Sequence, residues 1–390
     1  MRILFSAWPA WGHILPMLPL VRAAQRAGHD VAFSTGPDMV DELDRRGIAA
    51  WATGPTAAEA GAALHEAYPD HDQLPVEQRM PLSLVRFFGP ASVIRAKTLV
   101  PRARLWSPDI VVHDPSEVAG AIAAVAIGAM HVMHGLSPTP PGIEPLVRLL
   151  AAYPAQQLDL PELGEQMLAA TQLDISPPGL SANPTLSNSL LLRPTAGEND
   201  GAAPLPGEFE KLPHRRTVYL TLGTIVNASS GAFDAALAGL RELPVNVVVT
   251  TGPGVDPAGL GAQPANVLVR QFLPQAALLP ACDAIVSHAG AGTMLGGLCH
   301  GLPQVCLPMG ADQPMNAASL ARVGAGITLG PGQRTAAAVR DAVIKVLDDP
   351  SYRRAAGTLQ QEIAAMPSAD ETLDSLIELR SRRIALVHAG

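Results

Sequence analysis

Short apolar runs recur along the chain, and each passes into a stretch whose apolar residues fall at helical spacing. The runs at 3–6, 30–34, 48–52 and 110–113, with a weaker one at 132–135, read as strands separated by helices. Strands that alternate with helices in this way belong in a parallel sheet covered on both faces and joined by right-handed crossovers. The first half is therefore predicted to be a Rossmann-like α/β unit. Its first helical pattern runs through 21–27 and closes at Gly28. Pro16 and Pro19 are tolerated only if that helix begins near Leu15, because a deeper proline would lose a backbone hydrogen bond. That leaves His13 on a loop.

The pattern restarts further on, with strands predicted at 218–222, 245–250, 267–269, 284–287 and 305–307. Between the two series, residues 194–214 read PTAGENDGAAPLPGEFEKLPH, dense in Pro, Gly and charge, as interdomain linkers are. Residues 53–80 and 137–142 lack a steady period and read as loops. The expected organisation is a first domain over 1–205 and a second over 206–369. A C-terminal helix over 370–390 would pack Leu373, Leu376, Ile377 and Leu379 back onto the first domain.

Composition narrows the functions. Of 390 residues, 48% are hydrophobic and 16% charged, which supports buried cores; the net charge of -8, with no basic cluster, argues against nucleic acid as a partner. Cys282, Cys299 and Cys306 lack metal spacing and fit a reducing cytoplasm. No run approaches the roughly 20 apolar residues a membrane span requires. Gly12, His13, Pro16 and Pro19 break up the apolar N-terminus, so it does not read as a secretory signal.

The most informative segment is DAIVSHAGAGTMLGGLCHG, in which a strand ending at His288 enters Ala289, Gly290, Ala291, Gly292 and Thr293 before a helix. Glycines let a ligand approach the backbone closely. A helix start offers unpaired N–H groups and about half a positive charge, so a diphosphate fits there and a metal becomes optional. Two other readings stand beside this one. Gly290, Gly292 and Gly296 could serve only a tight turn. Alternatively, Gly290 and Gly292 with Asp312 about 20 residues on could bind a dinucleotide, as in an NAD-dependent oxidoreductase. Against the dinucleotide, the third glycine is one residue late, and Asp312 lies in a polar turn beside Gln313, a pair suited to sugar hydroxyls.

The longer stretch SHAGAGTMLGGLCHGLPQVCLPMGADQPMNA resembles the donor signature of the GT-B family 1 glycosyltransferases, especially bacterial ones that decorate antibiotics and other natural products. The resemblance extends through ILFSAWPAWGHILPMLPLVRAAQRAGHDV, VYLTLGT and RQFLPQAALLPACDAIVSHAGAGT, nearly the whole chain, with Ala289 where many members have glycine. It implies two facing Rossmann-like domains with a cleft between them. It also implies an inverting transfer of a sugar or deoxysugar from a dTDP- or UDP-sugar to a hydroxyl of a small apolar acceptor, with no cofactor and no required metal. His288, Ala289, Gly290, Gly292 and Thr293 would hold the diphosphate, and Gly223 and Thr224 would approach it. Asp312 and Gln313 would contact the sugar, and Phe272, Leu273 and Gln275 the nucleoside.

His13 follows Gly12 after the first strand, at the carboxyl edge where open α/β sheets bind ligands. By the same resemblance it is the general base, a role that suits a side chain titrating near neutrality. A carboxylate should orient it. Asp109 and Asp114 flank the strand at 110–113, and Asp114 lies at its ligand end, where it could also cap the next helix. Trp8, Trp11, Phe87 and Phe88, together with Trp51 and residues 137–153, could line the acceptor pocket. A noncatalytic partner that only binds a sugar nucleotide, and a sugar epimerase, remain open as alternatives. A homodimer is an admissible assembly.

Overall fold

In the computed structural model, described for residues 1–74, 82–139, 142–181, 188–197, 204–223, 231–252 and 255–389, the short runs form two separate parallel sheets. The first contains β1 (Arg2–Ser6), β2 (Asp30–Thr35), β3 (Ala50–Ala52), β4 (Ile110–His113), β5 (Met130–His134), β6 (Thr171–Asp174) and β7 (Ser189–Leu191). Their spatial order is β3-β2-β1-β4-β5-β6-β7. The second contains β8 (Thr217–Thr221), β9 (Asn246–Thr250), β10 (Val267–Arg270), β11 (Ala284–Ser287), β12 (Gln304–Cys306) and β13 (Gly326–Thr328), ordered β10-β9-β8-β11-β12-β13. Leu4, Val111 and Met133 bury one face of the first sheet under helices. Val218, Val247, Val286 and Val305 do the same in the second. The expected α/β class, two Rossmann-like sheets, is what the chain forms.

Two compact units result. One comprises Met1–Ile175, Asn183–Arg193 and Pro367–Gly390; the other comprises Ser176–Ala182 and Pro194–Met366. The chain leaves the first unit between Arg193 and Pro194, at the head of the Pro- and Gly-rich stretch, and returns at Pro367. The returning helix Ala369–Ala389 packs against Leu18–Arg26, burying Leu373 and Leu376. Arg26 pairs with Asp370 at 2.9 Å, and Arg380 with Asp109.

Several local expectations change. His13 is not on a loop: Trp11–Ile14 is already one helical turn, followed by a 3-10 turn at Leu15–Met17 and the helix Leu18–Arg26. Both prolines then fall in the first turn of a new segment, where the absent N–H is not missed. The stretch at 53–80 is not all loop either. Ala57–Ala67 is helical, started by a capping box in which Thr56 Oγ1 accepts from Glu59 N at 3.1 Å and Glu59 accepts from Thr56 N at 2.9 Å. Residues 75–80 lie outside the described part.

Candidate active site

In the first sheet the strand order reverses between β1 and β4, so the connections at their carboxyl ends part and leave a crevice, the usual ligand position in such sheets. His13 comes from the helical turn after β1, and Asp114 directly follows β4. The register pairs Ser6 with His113, which brings both connections to the same edge. Asp114 is fully buried, and His13 Nδ1 stands 3.2 Å from its Oδ2. Asp109, at the other end of β4, accepts from Arg2 N at 2.8 Å and pairs with Arg380.

Every oxygen of Asp114 is engaged. Oδ2 accepts from Trp8 N at 2.8 Å as well as from His13. Oδ1 accepts from Ser116 N at 2.8 Å, Ser116 Oγ at 2.6 Å and Glu117 N at 2.9 Å. Capping and orientation of the histidine therefore coexist in one carboxylate. Burial alone would raise this carboxyl, but the charge on His13, then hydrogen bonds from His13, Ser116 and Trp8, hold it well below the usual carboxylate range. An ionised carboxylate only accepts, so the Nδ1 proton of His13 points at it. Ser116 Oγ, 3.3 Å from Nδ1 and donating to Asp114, can accept a share of the same proton. In the neutral imidazole that arrangement puts the lone pair on Nε2, on a side chain that is 22% exposed, the form a general base uses.

The four aromatic residues expected around an acceptor separate. Trp8 is only 5% exposed and packs with Ala60 and Ala91, its ring 4.8 Å from Phe87 and 5.2 Å from Phe88 in edge contacts. Phe88 reaches His13 at 6.3 Å between ring centres. Trp11 instead lies under the guanidinium of Arg46, 4.9 Å from its ring centre. Trp8 is thus packing beneath the two phenylalanines, since its ring has no open face of consequence. Phe87 and Phe88 end a π-helical turn, Leu84–Phe88, a rare geometry that often marks functional positions.

The second sheet reverses between β8 and β11. Gly223 follows β8 and His288 follows β11, with Ser287 and Thr221 in register. A Cβ on Gly223 would meet His288 Nε2 at 2.7 Å, and one on Gly290 would meet it at 2.3 Å, so both glycines make room for that imidazole. Burial pulls His288 down to about 4, keeping it neutral, and its buried Nδ1 has no partner among the described residues.

Ala289 takes a left-handed φ of 63°, held by a bond from its own N to Ser287 Oγ at 3.1 Å and one from Asn316 Nδ2 to its carbonyl at 2.9 Å. The helix Ala291–Cys299 then begins at Gly290, Gly292 lying in its first turn, with no side chain capping its N–H groups. Thr293 Oγ1 accepts from Gln275 Nε2 at 3.1 Å.

Asp312 Oδ2 accepts from Asn316 at 2.7 Å, while Gln313 turns its oxygen to Met309 N and Gly310 N at 2.7 and 3.1 Å. Phe272 is 76% exposed. The Leu273 side chain packs into an apolar core with Tyr219, Leu278 and Ile285, so its backbone groups are what it can offer a ligand. Thr224 lies outside the described residues. Among the described residues no three His, Cys, Asp or Glu side chains converge as a metal site, and no helix is long and apolar enough to cross a membrane.

Three participants had no sequence signal strong enough to single them out: Ser116, and the buried pair Arg95 and Glu117. Ser116 was visible only as the third residue of Asp114-Pro115-Ser116-Glu117, an ordinary helix-start composition.

Family models described as erythromycin biosynthesis protein CIII-like match the chain over residues 22–223, the N-terminal domain, and 234–379, the C-terminal domain. The tylactone mycaminosyltransferase of Streptomyces fradiae is 30% identical, covering 94% of this chain and 90% of its own length. The glycosyltransferase SnogD of Streptomyces nogalater superposes with a TM-score of 0.76 at 30% identity, covering 97% of this chain and 99% of its own. The glycosyltransferase VinC, solved in complex with dTDP, gives 0.77 at 28%, covering 98% and 100%. These relatives remove the oxidoreductase reading of Gly290 and Gly292. The chain is a GT-B glycosyltransferase and belongs to the erythromycin biosynthesis protein CIII-like family.

Proposed function

We propose that the chain transfers a sugar, in the first instance a deoxysugar, from a dTDP- or UDP-linked donor to a hydroxyl of a small apolar natural product, with inversion at the anomeric carbon. The observation that carries this reading is the His13–Asp114 pair, Nδ1 lying 3.2 Å from a buried carboxylate that can only accept, so that the neutral imidazole keeps its lone pair on Nε2. Nε2 takes the proton of the acceptor hydroxyl as its oxygen attacks the anomeric carbon, and the carbon–phosphate oxygen bond breaks. Asp114 balances the charge that develops on His13; such base catalysis is worth roughly 100- to 10,000-fold. The departing diphosphate takes its place at the N-terminus of Ala291–Cys299, beside the unpartnered His288 Nδ1 and Thr293. The unpaired N–H groups of that helix start and the Thr293 hydroxyl supply the stabilisation a metal would otherwise give. The dTDP held by VinC supports thymidine as the first base to try.

The test is turnover of dTDP- and UDP-sugars with 4-methylumbelliferone and with a macrolactone as acceptors, by the parent and by His13→Ala. The variant should lose about 100-fold or more in kcat. It should keep the rise in melting temperature that dTDP produces. Full turnover by His13→Ala removes His13 from the mechanism.

A further inference from the structure

Arg95 and Glu117 form an ion pair in which both side chains are completely shielded from solvent, Nε to Oε1 at 2.8 Å. Taking two charges out of water costs about as much as their attraction returns, so such a pair is a poor way to stabilise a fold. What it does supply is geometry. The other guanidinium nitrogens of Arg95 donate to Thr53 O at 3.0 Å and Ala7 O at 3.2 Å, in the connections that leave β3 and β1. Glu117 Oε2 accepts from Ser6 Oγ at 2.6 Å and from Gly120 N at 3.0 Å.

Both members act directly on the backbone that holds Asp114. Trp8, whose N–H binds Asp114 Oδ2, is the residue after Ala7; Glu117 itself donates its N–H to Oδ1. Two further features serve the same clamp. Gly54 sits at a φ of 66°, and a Cβ there would come within 2.2 Å of the Arg95 side chain, so the turn after β3 is open for it. Ser92, one turn before Arg95 on the helix Gly89–Trp106, accepts from Val118 N at 3.2 Å, next to Glu117. From this geometry we infer that Arg95 and Glu117 are positioning residues for the base: they hold the connections after β1 and β4 so that Asp114 meets His13, and they touch no substrate. The inference rests on the proposed role of His13.

The test compares Arg95→Met, Glu117→Gln and the double variant with the parent, using the best-turned-over pair from the donors and acceptors above. Each single variant should lower kcat about 10- to 100-fold, the loss expected when a catalytic group is displaced by an ångström or so. Both KM values should stay within about two-fold, because ground-state binding is not altered. Each single change also leaves one buried charge unpaired and lowers the melting temperature. The double variant has no unpaired charge and should recover much of that temperature. Its kcat should remain as low as in Arg95→Met, since Ala7 and Thr53 are still unheld.

Recovery of kcat along with the melting temperature, or single variants that fold and keep parental kcat, would overturn the inference and make the pair structural only. Should a single variant fail to fold, the double variant decides alone. His13→Ala separates the underlying reading: if it keeps turnover, the base assignment fails whatever the Arg95 variants do. If it is inactive while they are fully active, only the positioning role falls.

Discussion

Replacing Asp114 by Asn is a near-isosteric change whose outcome follows from the direction of five hydrogen bonds. The Oδ1 position faces Ser116 N–H, Glu117 N–H and Ser116 Oγ, whereas Oδ2 faces Trp8 N–H and His13. An amide nitrogen at Oδ1 would oppose two backbone donors, so the asparagine places its oxygen there and its NH2 at Oδ2. Trp8 N–H then faces another donor in a buried site, at a cost of about 1–3 kcal/mol. At about 2–4 °C per kcal/mol for a unit of this size, the melting temperature should fall by roughly 2–12 °C.

The chemical consequence is larger. The new NH2 group donates to His13 Nδ1, which must give up its proton to accept, so the proton moves to Nε2. The imidazole is then in the wrong tautomer to take a proton from the acceptor. Catalytic histidines whose carboxylate is changed to an amide lose about 10,000-fold in kcat through this route. Initial rates at saturating donor and acceptor, with a dTDP melting-temperature shift to confirm the second unit, measure both effects. A variant that retains kcat within about three-fold would refute the orientation argument outright.

Other consequences are as direct. Burial holds His134 down at about 4, below the usual histidine value, so between pH 6.5 and 4 the unfolded chain binds a proton that the fold refuses. The stability from this group is complete above about pH 6.5 and is lost as pH falls through that window, about 3 kcal/mol in all. Melting temperatures from pH 7 to 4.5 should therefore drop less steeply in His134→Gln than in the parent, and parallel curves would contradict this. Gly290→Ala puts a Cβ 2.3 Å from His288 Nε2, so His288 must move. Donor KM should rise about ten-fold or more with acceptor KM unchanged, and unchanged donor KM in titrations would show that His288 does not contact the donor.

The central strands were legible because most are short apolar runs buried on both faces, and β4 and β11 came out at their observed bounds. The edges were not. β7 and β13 have three residues each and β6 is the mixed run Thr171–Asp174, too short or polar to carry a period. The helix Ala57–Ala67 hid behind an Ala- and Gly-rich composition, although Thr56 and Glu59 marked its start. At the site, strand ends placed His13, Asp114 and His288 because topology brings carboxyl ends together, and the family resemblance added Gly223. Ser116 reaches His13 across 103 residues of sequence and the Arg95–Glu117 contact spans 22 residues, so neither leaves a local trace. Leu273 sits between an exposed phenylalanine and a proline, and only packing reveals that it turns inward.

The path of the chain also decides how this protein can be recombined with its relatives. The helix Ala369–Ala389 belongs with the N-terminal unit, so the second unit is in effect an insertion, entered after Arg193 and left before Pro367. A chimera that exchanges everything after the linker would import a foreign C-terminal helix onto Leu18–Arg26, whose apolar face is matched to Leu373 and Leu376. Grafting at 193/194 and 366/367 avoids that mismatch. The graft must also carry Ser176–Ala182, where Gly179 N meets Glu362 at 2.7 Å and Leu180 O meets Arg322 at 2.7 Å, because that short stretch is part of the second unit encoded upstream of the rest of it.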